Sequence, residues 1–199
     1  MPLRALLRDQ AVFAWFIAFI LVFMAGTMSM MNMSLLVIHV LGGTESQVGI
    51  IFSLAPVFEL PFMVWFGLLA TKTDSTRLIR LAVILSVIYY AALALVRAPW
   101  QIYPLQILSA AAVAVTTGVA ISFFQGKFPG QPGAATNLYM NAMRIGATAG
   151  YLIFGTVAAA YGHRAVFVGC ALLCAGALAL MYRQRSRDAA ATSEPAAAA

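Results

Sequence analysis

The feature that most restricts this chain is a series of six apolar runs, each about twenty residues or longer, separated by short segments that hold nearly all of its charge. At 1.5 Å of rise per residue, a helix of that length crosses a hydrocarbon core of ~30 Å. Sixty-three per cent of the 199 residues are hydrophobic, only 9% are charged, and mean hydropathy is +0.92. A soluble domain is about half apolar and a quarter charged, so this chain has too little polar surface to coat itself in water. The implied fold class is an all-α membrane protein with six transmembrane helices, embedded in a lipid bilayer.

The expected spans run from about residue 11 to 41, 47 to 70, 78 to 96, 100 to 124, 134 to 161 and 165 to 182. The first is too long for a cleavable signal, whose apolar region is only ~7–15 residues. Gly42 and Gly43 end it, Ala98 and Pro99 turn the third span into the fourth, and residues 125–133, with two prolines and three glycines, separate the fourth from the fifth. Pro56 and Pro61 fall inside the second span, a position that membrane bundles tolerate where neighbours satisfy the freed carbonyls. Residues 1–10 read as a cytoplasmic lead-in and residues 183–199 as a disordered cytoplasmic tail with no apolar face to bury.

Charge sets the expected orientation. Arg4, Arg8, Lys72, Arg77, Arg80, Lys127, Arg183, Arg185 and Arg187 fall on one side, and only Arg97 and Arg164 on the other. That bias places both termini in the cytoplasm. The net charge of +6 reflects this distribution and needs no nucleic-acid partner, since no basic residues gather on a folded face. Cys170 and Cys174 lie one turn apart on an apolar helix, where disulfide geometry is hard to reach, so they read as packing residues.

Two ionisable residues lie deep in apolar runs: Glu59 in the second span and Arg144 in the fifth, each ~15–20 Å from a helix end. A charge at that depth costs at least ~2.5–3.5 kcal/mol, so each should face protein or a wet cavity. They mark either a functional site or one buried ion pair that fixes helix packing. In the fifth span Asn137, Asn141, Arg144, Thr148 and Tyr151 recur at helical spacing on one face. Amides, a guanidinium, a hydroxyl and an aromatic plate suit a hydroxyl-rich solute; bonding between helices is the other use of such side chains.

Ala142, Gly146 and Gly150 on a neighbouring face suit close approach of another helix. The fourth span carries Gln106, Ser109, Thr117, Ser122 and Gln125, several of which can bond to their own helix carbonyls. Met24, Met28, Met30, Met31 and Met33 surround Asn32, a polar lining candidate towards the outer end. Such a cluster serves either soft-metal transport or flexible packing, and with no His or Cys in the motif the second reading is taken. There is no phosphate-cradling glycine loop and no zinc-spaced Cys or His pair, so neither enzyme chemistry, a cofactor nor a bound metal is expected; His39 and His163 sit at outer span ends as interfacial residues.

Several segments resemble a known family: Phe58-Glu59-Leu60-Pro61, Phe124-Gln125, the run from Pro129 to Thr136 with Asn141, and Tyr161-Gly162-His163. Together they are similar to the second six-helix half of bacterial sugar efflux transporters of the major facilitator superfamily. The connection from Gly67 to Arg77 resembles a worn copy of the superfamily's glycine, acidic and basic loop, with Thr71 and Asp74 departing from it. Asn32 and Arg144 also depart from the family pattern, so substrate choice does not carry over. The resemblance implies one half of a major-facilitator-type bundle in the bacterial inner membrane, a multi-pass wall of a proton-coupled exporter of a small-molecule solute, namely sugars or related glycosides. The candidate substrate contacts remain the polar positions read from the spans themselves, Asn137, Asn141, Arg144, Tyr151, Asn32 and Gln125, and the resemblance makes Glu59 the candidate proton-responsive group. The missing wall is an N-terminal six-helix half or a second copy. A six-span accessory protein that transports nothing, or an inactive truncated fragment, remains the alternative.

Overall fold

The computed structural model describes residues 10–128 and 130–193, with side chains to Gln184. Within them lie six helices long and apolar enough to cross a membrane: α1 (Gln10–Val40), α2 (Glu45–Ala70), α3 (Ser75–Leu95), α4 (Pro99–Lys127), α5 (Pro132–Tyr161) and α6 (His163–Ser193). No strand occurs among the described residues. Since the helices alternate in direction with short turns, residues 10 and 193 lie at one end of the bundle, the near end. The connections at residues 41–44, 96–98 and 162 lie at the far end.

The boundaries reflect capping chemistry. Thr44 and Gln47 form a capping box, in which the Thr44 N–H donates to Gln47 Oε1 at 3.0 Å and the Gln47 N–H donates to Thr44 Oγ1 at 3.4 Å. Asp74 caps α3 by accepting from the Thr76 N–H at 3.0 Å. Pro99 and Pro132 open α4 and α5, where a missing N–H loses nothing. α5 stops at Gly162, whose φ of +82° suits glycine. The last helix continues through Ser193, past residue 182, where the sequence suggests a disordered tail. The stretch from Arg183 to Ala191 has no glycine or proline and is rich in Ala and Arg, which are good helix formers. Residues 1–9 and 194–199 lie outside the described residues.

α1 is the spine of the bundle, packing on α5 and α6; α3 lies against α6 and α4, and α2 leans chiefly on α4. The α1–α5 contact is the closest. Gly146 and Gly150 turn towards α1, where a Cβ at Gly146 would sit 2.6 Å from the Ile20 carbonyl oxygen and one at Gly150 would sit 2.9 Å from that of Met24. Small residues thus let two backbones approach, as the spacing of Ala142, Gly146 and Gly150 suggests. Beside this seam Phe19, Phe23, Phe124 and Tyr139 pack ring against ring, with Phe23 and Tyr139 nearly perpendicular at 5.5 Å. Met24, Met28 and Met33 fill the core while Met30 faces outward, so the methionines do not converge. Cys170 and Cys174 are free and buried, and the Cys170 thiol donates to the Ala25 carbonyl at 3.3 Å.

α2 and α5 each turn only a narrow side to this core. Only 6% of the apolar window of α2 and 17% of that of α5 is buried, against 33% for α6, the next lowest. Both helices therefore offer a broad side to whatever surrounds the bundle.

Candidate functional site

Near the middle of the spans, α1, α3 and α4 enclose a cavity of about 170 Å³. Its floor is Ser86, Tyr89 and Tyr90 of α3, all buried, and Thr116 of α4 closes one side. Phe23, Gly26 and Thr117 are half-buried around it. No charged residue lines it.

The chemistry of these hydroxyls is set by what their own helices take. Ser86 donates to the Ala82 carbonyl at 3.0 Å, Thr116 to that of Ala112 at 2.9 Å, and Thr117 to that of Val113 at 2.8 Å. Their hydrogens are used locally, which leaves oxygen lone pairs as acceptors. The Tyr89 hydroxyl accepts from Gln106 Nε2 at 3.4 Å and also pairs with Ser109, and the Tyr90 hydroxyl pairs with Ser29, so both phenols have partners within the bundle. An uncharged, largely apolar lining interrupted by a few hydroxyls is compatible with a neutral molecule that has both an apolar face and hydroxyl groups. A complete small-molecule site encloses roughly 300–1,000 Å³, so this cavity has the size of one subsite.

A break in α4 shapes the cavity. Residues Val115–Val119 form a π-turn, which widens the helix and leaves carbonyls out of the regular ladder. The buried Tyr139 of α5 reaches across and donates to the Thr116 carbonyl at 2.9 Å, so the irregular backbone keeps a partner.

The side chains singled out in the sequence lie elsewhere. Asn137, Asn141, Arg144, Thr148 and Tyr151 do share one face of α5, all exposed, on the side opposite Gly146 and Gly150. None of them lines the cavity. Glu59 is half-buried on α2, which packs on α4 and not on α5, and among the described residues no ion pair joins it to Arg144. The buried-pair reading of these two charges is therefore not what the isolated bundle shows. Gln125 is exposed near the end of α4, where its amide donates to Thr136 Oγ1 at 3.2 Å and ties α4 to the start of α5.

Asn32 is a correction. It is wholly buried, its Nδ2 donates to the His163 carbonyl at 2.7 Å, and its Oδ1 lies 2.8 Å from His163 Nδ1. Both ends of the amide are used within the bundle, so it clamps α1 to α6 and does not line a cavity. The floor residues Ser86, Tyr89 and Tyr90 are absent from the expected set, although their spacing of three and one puts them on one helix face.

Comparison with known proteins adds the family context. Residues 3–199 match the profile of the Major Facilitator Superfamily. The chain is 34% identical over 156 residues to sugar efflux transporter A of Dickeya chrysanthemi, covering 78% of this chain and 40% of that protein. It is 32% identical over 146 residues to sugar efflux transporter B of Salmonella typhimurium, covering 72% and 37%. With sugar efflux transporter A of Escherichia coli the identity is 28% over 173 residues, covering 87% and 44%. The chain thus spans about two fifths of the length of these curated relatives.

Proposed function

Since the chain belongs to the major facilitator superfamily, we propose that it forms one six-helix wall of a proton-coupled exporter of sugars or related glycosides in the bacterial inner membrane. The observation that carries this reading is the uncharged cavity at mid-span, whose apolar lining with a few hydroxyls is compatible with one ring of a neutral sugar. The similarity to proteins named sugar efflux transporters supports the same substrate class.

In this reading the exposed sides of α2 and α5 meet a second six-helix unit, and the solute passes between the two walls as they rock about the site. Arg144 gives this its physical reason. It stands twelve residues from the start of α5, ~18 Å deep, on an exposed face. A guanidinium there is costly against hydrocarbon and is accommodated by water or by another protein surface. Asn137, Asn141, Arg144 and Tyr151 then face the solute path from one side, and the half-buried Glu59 answers the proton gradient. The excess of Lys and Arg at the near end supports a cytoplasmic location for both termini, with residues 1–10 and the end of the chain on that side.

The test is efflux of a labelled, non-metabolised glycoside from cells that express this chain alone or with a candidate N-terminal six-helix half. Efflux is expected only when both are present, and Glu59→Gln should abolish its dependence on the proton gradient. Failure of every combination would favour a six-span accessory protein instead.

A further inference from the structure

Away from the mid-span cavity, the far end of the bundle holds a side-chain cluster that the transport reading leaves unused. His39 and His163 come from opposite ends of the sequence, yet their rings lie 6.5 Å apart, centre to centre, and within 22° of parallel. Each is brought there by a local irregularity. Residues Leu36–Val40 form a π-turn, with the Leu41 N–H bonded to the Leu36 carbonyl at 3.0 Å, and the extra residue in that turn rotates the end of α1 about its axis. His163 opens α6 directly after Gly162, whose positive φ reverses the chain.

The hydrogen bonds around Asn32 settle the His163 tautomer. A carbonyl oxygen can only accept, so the atom of Asn32 that lies 2.7 Å from the His163 carbonyl is the NH₂ group. The other atom is therefore the amide oxygen, and the His163 Nδ1 that lies 2.8 Å from it must carry a hydrogen. This leaves the Nε2 lone pair of the neutral ring unclaimed by Asn32. An imidazole oriented by donating its other N–H to an oxygen is the arrangement that metal-ligating histidines adopt.

At 6.5 Å the rings lie within the ~4.5–7 Å at which rings attract, though near its far limit, so stacking alone holds the pair weakly. The same separation admits one shared ion once the exposed His39 ring turns a nitrogen toward His163. Bonds of ~2.0–2.1 Å to a nitrogen of each ring bridge nitrogens up to roughly 4 Å apart, and each ring centre sits about 1 Å behind its nitrogen. His39 is exposed, so its ring can turn to complete the geometry.

We infer that His39 and His163 form a two-histidine site for a divalent transition-metal ion, which fastens α1 to α6 at the far end of the bundle. No third His, Cys, Asp or Glu joins them among the described residues, so water completes the coordination. Imidazole nitrogens select copper, nickel and zinc over magnesium or calcium, and copper(II) binds most tightly of these. Asn32 is a positioning residue that holds His163 in the ligating tautomer.

The experiment uses the chain without a polyhistidine tag in detergent micelles. Copper(II) is titrated and followed by electron paramagnetic resonance, which counts the coordinating nitrogens, and thermal melts are run with and without zinc. The expected result is one copper ion with two imidazole nitrogens, and a melting temperature raised by zinc. His39→Ala, at an exposed position that leaves the Asn32 clamp intact, should remove one nitrogen and the zinc response. Asn32→Ala should keep both nitrogens but weaken binding by about 10–100-fold, as loss of an orienting partner does elsewhere. Equal affinity and nitrogen count in His39→Ala, or no saturable copper binding by the unaltered chain, would overturn the assignment.

Discussion

Tyr139 carries more of the cavity than its place on α5 suggests. Its hydroxyl is the cross-helix donor to a carbonyl that the π-turn of α4 has released, and its ring packs edge-on to Phe23. Tyr139→Phe keeps the ring and removes the donor, so a buried carbonyl is left unsatisfied. A loss of about 1–3 kcal/mol in unfolding free energy is expected, measured by denaturant titration in micelles. Solute affinity should fall with it, because Thr116 belongs to the same turn. Polar residues of this kind were only half legible in the sequence. The α5 stripe stood out through its amides and its charge, and it does share one face. Ser86 and Thr116 stayed hidden because hydroxyls that bond to their own helix look the same whether or not they border a cavity. Asn32 misled for a related reason: a lone amide in a methionine-rich run has no periodic partner, and its true one, His163, lies 131 residues away.

The helices themselves were legible because each must satisfy its backbone internally and bury about twenty residues in lipid, which leaves a long, unbroken apolar signal. Two kinds of detail were not. The π-turns at Leu36–Val40 and Val115–Val119 have no composition that distinguishes them from regular helix, yet they shape both the far-end cluster and the cavity. The run of helix beyond residue 182 lacks an apolar face in its sequence; helix propensity and the buried Gln184, whose amide donates to the Gln10 carbonyl at 3.5 Å, favour it. Where spacing does encode packing it is reliable, as at Gly146. Gly146→Leu would drive a side chain into the α1 backbone, where the Cβ alone would already stand 2.6 Å from the Ile20 oxygen. A destabilisation of about 1–3 kcal/mol or more is expected. Gly155→Leu, with nothing within 4 Å of its Cβ, should leave the melting temperature nearly unchanged and serves as the control.

At the scale of the molecule, the bundle divides into a well-packed group of α1, α3, α4 and α6 and two sides, on α2 and α5, that its own helices leave open. If a second six-helix unit covers α5 and the solute path runs between the two, Thr148→Cys should be shielded by lipid from a water-soluble maleimide when the chain is expressed alone. It should react when a functional N-terminal half is co-expressed and water enters the path. The native Cys170 and Cys174 are buried and should stay silent in both cases. Unchanged labelling would place α5 outside any such interface. The sparse packing of α2 has a bearing on life in the cell as well. A segment held chiefly along one edge is the kind of loose handle that quality-control proteases grip in unassembled subunits. If a second six-helix unit completes the bundle, the lifetime of this polypeptide should rise and fall with its supply, making abundance a readout of assembly.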